Sequence, residues 1–170
     1  MAEQFLTLMA DLDDEAQKAM GEWYEQLRLA GFHGTQTPGL PFHISIHTFS
    51  LDKEQEIMEE MEKLSKDFAP IPIHISHIGI FGEGKVLFGA PDMNAAYLAK
   101  FREAIKTESI DPNPWTPHAT IMIDEPETIC AAIPVLLKSF KPFEAKITKL
   151  HLCAFWPTRE ILSVEFCGRK

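Results

Sequence analysis

The sequence predicts an α+β protein with an internally duplicated, bilobal fold, in which two antiparallel-rich sheets flanked by helices face a central cleft. Segments that alternate apolar and polar residues predict strands, and segments with apolar residues three or four positions apart predict helices. The order helix–strand–helix–strand–strand occurs twice along the 170 residues. His43 and His118 are 75 residues apart, and Phe81 and Phe155 are 74 apart, so the two halves keep nearly the same spacing.

The first half of the chain places a leading strand before its copy of this order. Its predicted elements are a strand over 5–10, a helix over 14–30, a strand over 42–49, a helix over 53–68 and a hairpin over 71–81 and 85–90. Asp13 precedes the first helix and can cap it. The segment 31–41 contains Gly and Pro and predicts a loop, while Gly82-Glu83-Gly84 predicts the turn of the hairpin.

The second half repeats the order. Its predicted elements are a helix over 92–107, a Pro-rich loop over 108–117, a strand over 118–123, a helix over 126–140 and a hairpin over 146–155 and 160–166. The residues expected on the inner helix faces are Met93, Tyr97, Phe101 and Ala104 in the first helix and Ile129, Ile133, Leu136, Leu137 and Phe140 in the second. Pro126 suits the first turn of the second helix. No linker separates the halves, so we expect one domain over 1–170, with lobes roughly over 1–91 and 92–170 that can exchange elements.

Composition and charge indicate the cellular setting. Hydrophobic residues make up 45% of the chain and charged residues 24%, as is usual for a globular domain. No segment reaches the roughly 20 apolar residues of a membrane span, and the N-terminus lacks the basic region of a secretory signal. The three cysteines form no C-x-x-C and lie in apolar segments, which predicts buried, reduced thiols and a cytoplasmic location. The net charge of −9 and the absence of a Lys/Arg cluster argue against binding to a long nucleic-acid tract.

Two strands of the predicted fold carry the residues best suited to chemistry. Because side chains alternate along a strand, one face of each strand is polar and the other is apolar. The polar faces comprise His43, Ser45, His47 and Phe49 in the first strand and His118, Thr120 and Met122 in the second. The apolar faces would pack under the helices. A pseudo-twofold relation between the lobes would then bring His43-x-Ser45 opposite His118-x-Thr120.

That arrangement supplies what cleavage of a phosphodiester requires. Two imidazoles that titrate near neutral pH can serve as one general base and one general acid. The two hydroxyls beside them can donate hydrogen bonds to the non-bridging oxygens of a bound phosphate. A single H-x-[ST] arises often by chance, but two copies at equivalent places in a duplicated chain are a much stronger signal. The set needs no metal and no cofactor.

The pair His43-Ile44-Ser45-Ile46 and His118-Ala119-Thr120-Ile121 resembles the paired H-x-[ST]-x motifs of the two-histidine (2H) phosphoesterases. That superfamily includes the 2′-5′ RNA ligase-like proteins and the cyclic nucleotide phosphodiesterases, and the resemblance covers nearly the whole chain. It implies a bilobal fold with a central cleft and metal-independent phosphoester chemistry. By motif position, His43 and His118 would be the acid/base pair, and Ser45 and Thr120 the phosphate-binding hydroxyls. Ser45 stands where threonine is commoner, a departure that keeps the hydroxyl.

Weaker candidates for contact with a substrate are His47, Phe49, Trp115 and Arg159. His47 shares the strand face of His43, and the aromatic residues could stack on a base. Arg159 could reach a second phosphate. Four residues along a strand span about 13 Å, so His43 and His47 cannot hold one metal ion in a regular strand.

The sequence therefore predicts a phosphodiesterase of nucleotides, with a 2′,3′-cyclic phosphate or a 2′-5′ linkage as the reacting group. Its expected partner is a small nucleotide or an RNA terminus, and the chain is expected to be a monomer. Ligation is the reverse of such a transesterification, so the same site could catalyse it. Two rival hypotheses are a non-catalytic nucleotide- or RNA-binding module and a metallohydrolase that uses some of the seven histidines.

Overall fold

The computed structural model describes residues 4–36, 39–92 and 96–169, and its elements confirm the α+β class. The strands are β1 (Phe5–Leu12), β2 (His43–Phe49), β3 (Ile71–Ile80), β4 (Val86–Pro91), β5 (Ala119–Ile123), β6 (Phe143–Phe155) and β7 (Arg159–Glu165). The helices are α1 (Asp14–Leu29), α2 (Glu54–Asp67), α3 (Ala96–Ala104) and α4 (Pro126–Ser139), with a 3₁₀ turn over Leu51–Lys53 before α2. Within these ranges no helix combines the length and the hydrophobicity that crossing a membrane would need.

The strands form one seven-stranded antiparallel sheet in the order β1-β2-β5-β4-β3-β6-β7. β6 also pairs with β1, so the sheet curls until the first strand meets the last strand but one. The two expected sheets are joined because β6 is 13 residues long and pairs with β3 at its start and with both β1 and β7 further along. A single Cα pair, Ile44 with Ala119, links β2 to β5.

The sheet order determines which hairpin accompanies each motif strand. The hairpin of β3 and β4 pairs with β5, although it comes from the first half of the chain. The hairpin of β6 and β7 comes from the second half and reaches β2 through β1. This exchange of elements leaves β2 and β5 side by side, as the second and third strands of the order. The division into two duplicated lobes stays a prediction.

The helices are held by a continuous hydrophobic core. Asp13 caps α1 by accepting a hydrogen bond from the Ala16 N–H at 3.0 Å, as the sequence predicts. Pro126 occupies the first turn of α4, where its missing N–H costs nothing. The buried helix residues that join this core are Met20, Trp23, Leu27, Ile57, Met61, Leu98, Phe101, Ile129 and Leu136. They cover the apolar side of the sheet, so the polar sides of β2 and β5 face away from the helices.

Three predictions of burial are wrong. Tyr97 is 62% exposed, because α3 buries Leu98 and Phe101 and so presents a face rotated by one residue. Leu137 is 57% exposed for the same reason, since α4 buries Ile129 and Leu136. Cys153 is buried, but Cys130 and Cys167 are exposed, and all three are free thiols. Met93, which was also expected on an inner face, lies outside the described residues.

Candidate active site

The two motif strands lie next to each other and run antiparallel. Ile44 and Ala119 pair across them, and both are fully buried in the core. Because side chains alternate, the residues flanking this pair lie on the opposite face, where they are partly exposed. The antiparallel register places His43 across from Thr120, and Ser45 across from His118, with Cβ atoms of such facing pairs about 5 Å apart. Each imidazole thus has one hydroxyl along its own strand and a second across the neighbouring strand.

Both imidazoles are anchored in the same way. The Nδ1 of His43 lies 2.8 Å from the carbonyl oxygen of Pro41, and the Nδ1 of His118 lies 2.7 Å from that of Thr116. A carbonyl oxygen only accepts hydrogen bonds, so in both residues Nδ1 carries the proton and donates it. The Nε2 atoms are left for proton exchange with a substrate. This anchoring is the arrangement that two matched acid/base groups need.

Burial lowers the pKa of both imidazoles below 6.5. Desolvation is the main cause at His43, and the bond to Pro41 and the nearby charge of Asp11 oppose it. At His118 desolvation is again the main cause, opposed by the bond to Thr116. Both side chains are therefore mainly neutral at pH 7 in the free protein. A phosphate anion bound between them would favour protonation of one imidazole, which is the state that a general acid requires.

The surroundings of the two histidines differ. His118 packs edge-on against Phe81, with ring centroids 4.6 Å apart, and against Phe88 at 5.2 Å. Gly79 makes room for this cluster, because a Cβ at that position would lie 2.5 Å from the Phe88 ring. The apolar rings exclude water from one side of His118 and so account for its desolvation.

Charged groups surround His43 instead. Asp11 of β1 is its partner across the sheet, and it is 5% exposed. The Oδ2 atom of Asp11 lies 3.4 Å from Nδ1 of the buried His151, whose Nε2 lies 3.4 Å from Glu160 Oε2. Contact with Asp11 is the main reason that the pKa of His151 is raised. The sequence signal for this cluster was an aspartate within an apolar strand.

A cleft of about 630 Å³ opens beside the motif residues, within the size range of small-molecule sites. Its lining includes Ser45, His47, Phe81, Glu83, Lys85, Asp111, Trp115 and His118. His43 and Thr120 line a separate, small cavity of about 20 Å³. The main cleft is therefore lined by one facing pair, Ser45 and His118, and the other facing pair, His43 and Thr120, lies next to it along the two strands.

The weaker candidates separate into two groups. Trp115 lines the cleft, where a substrate could reach it. The expectation that His47 shares the face of His43 is wrong, because the strand bulges after Ser45 and His47 pairs with the core residue Leu8. On that side its Nδ1 atom lies 2.6 Å from Oδ2 of Asp111. The expectation for Phe49 is wrong, because its side chain is fully buried in the core, where its ring centroid lies 5.8 Å from that of His47. Arg159 is also misplaced. It is exposed away from the cleft lining, and it forms an ion pair with Glu54 at 2.6 Å because β7 lies beside α2.

The opposite pKa directions predict how stability depends on pH. Because His43 and His118 have lowered pKa values in the folded protein, the unfolded chain binds more protons than the folded one as the pH falls below about 6.5. The contribution of these two histidines to stability is therefore lost as the pH falls. His151 has a raised pKa, so its contribution is complete below pH 6.5 and is lost as the pH rises through the raised value.

We therefore expect the double variant His43→Gln/His118→Gln to lose less stability than the wild type between pH 7 and pH 5. Urea denaturation at several pH values measures the free energy of unfolding directly. His151→Gln should lose more stability than the wild type over the same pH range, because it lacks a group that stabilises the fold at low pH. If the free energy of unfolding changed with pH equally in all three proteins, the pKa directions would be contradicted.

The chain belongs to the 2′-5′ RNA ligase superfamily, whose family model matches residues 12–155 and so includes both motifs. This match confirms the resemblance to the two-histidine phosphoesterases and supports a phosphoesterase-type activity. No curated protein is significantly similar in sequence.

Solved structures of the same fold include TT0787 of Thermus thermophilus. It has 14% sequence identity and a TM-score of 0.65, and the alignment covers 98% of this chain and 100% of that one. Escherichia coli LigT complexed with phosphate has 15% identity and a TM-score of 0.62, with 95% and 96% of the two chains covered. LigT complexed with 3′-AMP has 16% identity and a TM-score of 0.59, with 96% and 98% covered. At these identities the likeness establishes the fold.

Proposed function

We propose that this protein is a metal-independent phosphodiesterase that acts on a nucleotide 2′,3′-cyclic phosphate or 2′-5′ linkage. The observation that carries the proposal is the matched pair of imidazoles on adjacent strands. Each donates its Nδ1–H to a main-chain carbonyl and keeps Nε2 for the substrate. Each also has a hydroxyl within reach, either along its strand or across the strand pair.

Opening of a cyclic phosphate illustrates the chemistry. The neutral imidazole takes a proton from water at Nε2 while the water oxygen forms a bond to phosphorus. The bond from phosphorus to one ribose oxygen breaks, and the protonated imidazole gives its proton to that oxygen. Ser45 and Thr120 donate hydrogen bonds to the non-bridging oxygens, where negative charge builds up in the transition state. One proton has moved from water to the leaving oxygen, and the two imidazoles have exchanged states.

The proposal also draws on the relatives. LigT has been crystallised with phosphate and with 3′-AMP, so a protein of this fold accommodates small phosphate-bearing molecules. By analogy, this chain would bind a small nucleotide or an RNA terminus. Which histidine acts as the base depends on the direction in which the substrate lies across the strand pair.

The test is a substrate screen in excess chelator. We expect turnover of nucleoside 2′,3′-cyclic phosphates or of a 2′-5′-linked dinucleotide, and much slower turnover of the matched 3′-5′ dinucleotide. Two imidazoles already provide both proton transfers, so the chelator should not reduce the rate. Chromatography that separates 2′- from 3′-monophosphate products identifies the leaving oxygen.

Two outcomes would favour the rival hypotheses. Tight binding of all these molecules without turnover would indicate a nucleotide-binding module. Activity that disappears in chelator and returns with one specific metal would indicate a metallohydrolase, although the described ranges contain no group of three or more His, Cys, Asp or Glu residues that could hold an ion. Incubating a 2′,3′-cyclic phosphate end with a 5′-hydroxyl RNA measures ligation as the reverse reaction.

A further inference from the structure

A buried carboxylate lies beside one of the two reacting imidazoles. Asp11 of β1 pairs with His43 of β2, and the neighbouring pair, Ala10 with Ile44, is fully buried in the core. Because side chains alternate along a strand, Asp11 and His43 both lie on the opposite face, which carries the motif hydroxyls. Facing side chains of an antiparallel pair have Cβ atoms about 5 Å apart. The carboxylate of Asp11 is therefore a direct neighbour of the His43 imidazole.

Asp11 belongs to a small acidic cluster with His151 and Glu160. Asp11 is 5% exposed, and its Oδ1 atom has no hydrogen-bond partner among the described residues. Its Oδ2 atom lies 3.4 Å from Nδ1 of His151, whose Nε2 atom lies 3.4 Å from Glu160. Two carboxylates thus surround one imidazole, so the cluster stays negative even when His151 is protonated. Asp11 favours a proton on His43, whereas a charge on His151 or His118 opposes it.

The other charges on this side of His43 do not cancel the cluster. Lys149 of β6 pairs with Asp11, but Glu165 of β7 pairs with Lys149 and has the opposite charge. The two aspartates at 13–14 line the same pocket as Asp11 and add negative charge there. On its other side His43 borders a small cavity with an uncharged lining, which comprises Gln36, Leu40, Pro41, Phe42 and Thr120. The net charge next to His43 is therefore negative.

His118 lies in different surroundings. Its ring packs against Phe81 and Phe88. Across the strands from His118 lie Ser45 and then Met9, which are both uncharged. The cleft that it borders is lined by charged residues of both signs, namely Glu83, Lys85 and Asp111. Burial lowers the pKa of both histidines, but a carboxylate opposes this effect at His43 alone among the described surroundings of the two rings.

We propose that Asp11, held by His151, is a positioning residue that makes His43 the imidazole that receives the proton when the phosphate binds. This inference rests on the proposed phosphodiesterase function. His43 is then the general acid and His118 the general base. The attacking oxygen bonds to phosphorus and gives its proton to Nε2 of His118. The bond from phosphorus to the leaving ribose oxygen breaks, and Nε2 of His43 gives its proton to that oxygen. The substrate therefore binds with its leaving oxygen toward His43.

The first test is the pH dependence of kcat, which reports the acid and the base in the substrate complex. The substrate is adenosine 2′,3′-cyclic phosphate or the 2′-5′-linked diadenosine monophosphate, whichever the wild type turns over faster. Asp11→Asn keeps the shape of the side chain and removes its charge. It should move the basic limb, which reports His43, to lower pH by roughly 0.5 to 2 units, as expected for a charge about 6 Å away. The acidic limb, which reports His118, should stay in place.

Two further variants control this result. His151→Gln removes the positive charge beside Asp11, so it should move the basic limb to higher pH, in the direction opposite to Asp11→Asn. Asp67→Asn removes the same charge from the exposed end of α2 and is the matched control. It should move neither limb.

The second test uses an analogue of the same substrate in which sulfur replaces the leaving ribose oxygen. A thiolate leaves without being protonated, because a thiol has a pKa of about 8.5, far below that of an alcohol. The wild type should therefore lose the basic limb on the analogue. His43→Ala should recover to within about tenfold of the wild-type rate, whereas His118→Ala should stay slower by about 10²-fold or more.

The outcomes separate the parts of the proposal. Movement of the acidic limb in Asp11→Asn, or of neither limb, would overturn the role of Asp11. Recovery of His118→Ala in place of His43→Ala on the sulfur analogue would overturn the direction of proton transfer. If circular dichroism shows that Asp11→Asn does not fold, His151→Gln decides the role of Asp11, which is refuted unless the basic limb moves to higher pH. Absence of wild-type turnover on both oxygen substrates would refute the phosphodiesterase function itself, which is a separate outcome.

Discussion

His43→Ala and His118→Ala should each lower kcat by about 10²- to 10⁴-fold, the usual contribution of a general acid or base. The imidazoles act as a pair, so the double variant should be little worse than either single one. Steady-state kinetics on the best substrate measures both effects. KM should change much less, because the alanine variants keep the Ser45 and Thr120 hydroxyls and the rest of the cleft.

The pH–rate profile distinguishes a proton-transfer role from a structural one. The wild type should give a bell-shaped profile, since one imidazole must be neutral and the other protonated. Each variant should lose one limb of the bell. His77→Ala, at an exposed histidine, is the matched control for folding and expression. If either His43→Ala or His118→Ala keeps more than roughly half the wild-type rate, the acid/base assignment is wrong.

The sequence predicts the elements that carry the site well. The alternation in 42–49 and 118–123 corresponds to β2 and β5, because each strand has one face in the core and one outside it. The matched H-x-[ST] motifs also predict that the four side chains lie together. Antiparallel pairing of Ile44 with Ala119 then makes their neighbours face each other.

What the sequence does not predict depends on contacts between distant segments. Asp111 lies 64 residues from His47, in a Pro-rich loop with no periodicity that would reveal its partner. Asp11 could be noticed as an acid in an apolar strand, but its place beside His43 follows from the pairing of β1 with β2. The single sheet follows from the length of β6, which periodicity indicates only approximately.

Phe49 shows a limit of the alternation rule. Counting by two places it on the face of His43 and Ser45, yet its side chain is fully buried. The pairing with β1 shifts between Leu8 and Met9, opposite the stretch from Ser45 to His47. Such a bulge bends the strand, so residues beyond it no longer keep the orientation that the start of the strand predicts. No residue in the sequence marks this bulge.

The hydroxyls should act mainly on the transition state. Thr120→Ala and Ser45→Ala are each expected to lower kcat by on the order of 10²-fold, since removing a preorganised donor to a developing negative charge costs about 10²–10³ in rate. KM should rise only slightly, because the ground-state phosphate carries less charge on the oxygens that these hydroxyls contact. Kinetics on one cyclic phosphate substrate, with binding of its product measured in parallel, separates the two effects.

The conservative exchanges sharpen this prediction. Ser45→Thr and Thr120→Ser keep the hydroxyl, so they should restore most of the rate that alanine loses, whereas Thr120→Val keeps the shape without the donor and should behave like Thr120→Ala. Thr48→Ala, on the same cleft but outside the motif, is the matched control for losing a hydroxyl. A pure KM effect would mean that the hydroxyls bind substrate and transition state equally well. Full activity in Thr120→Val would mean that the threonine contributes packing alone, and the phosphate would then have to be held by Ser45 and the imidazoles.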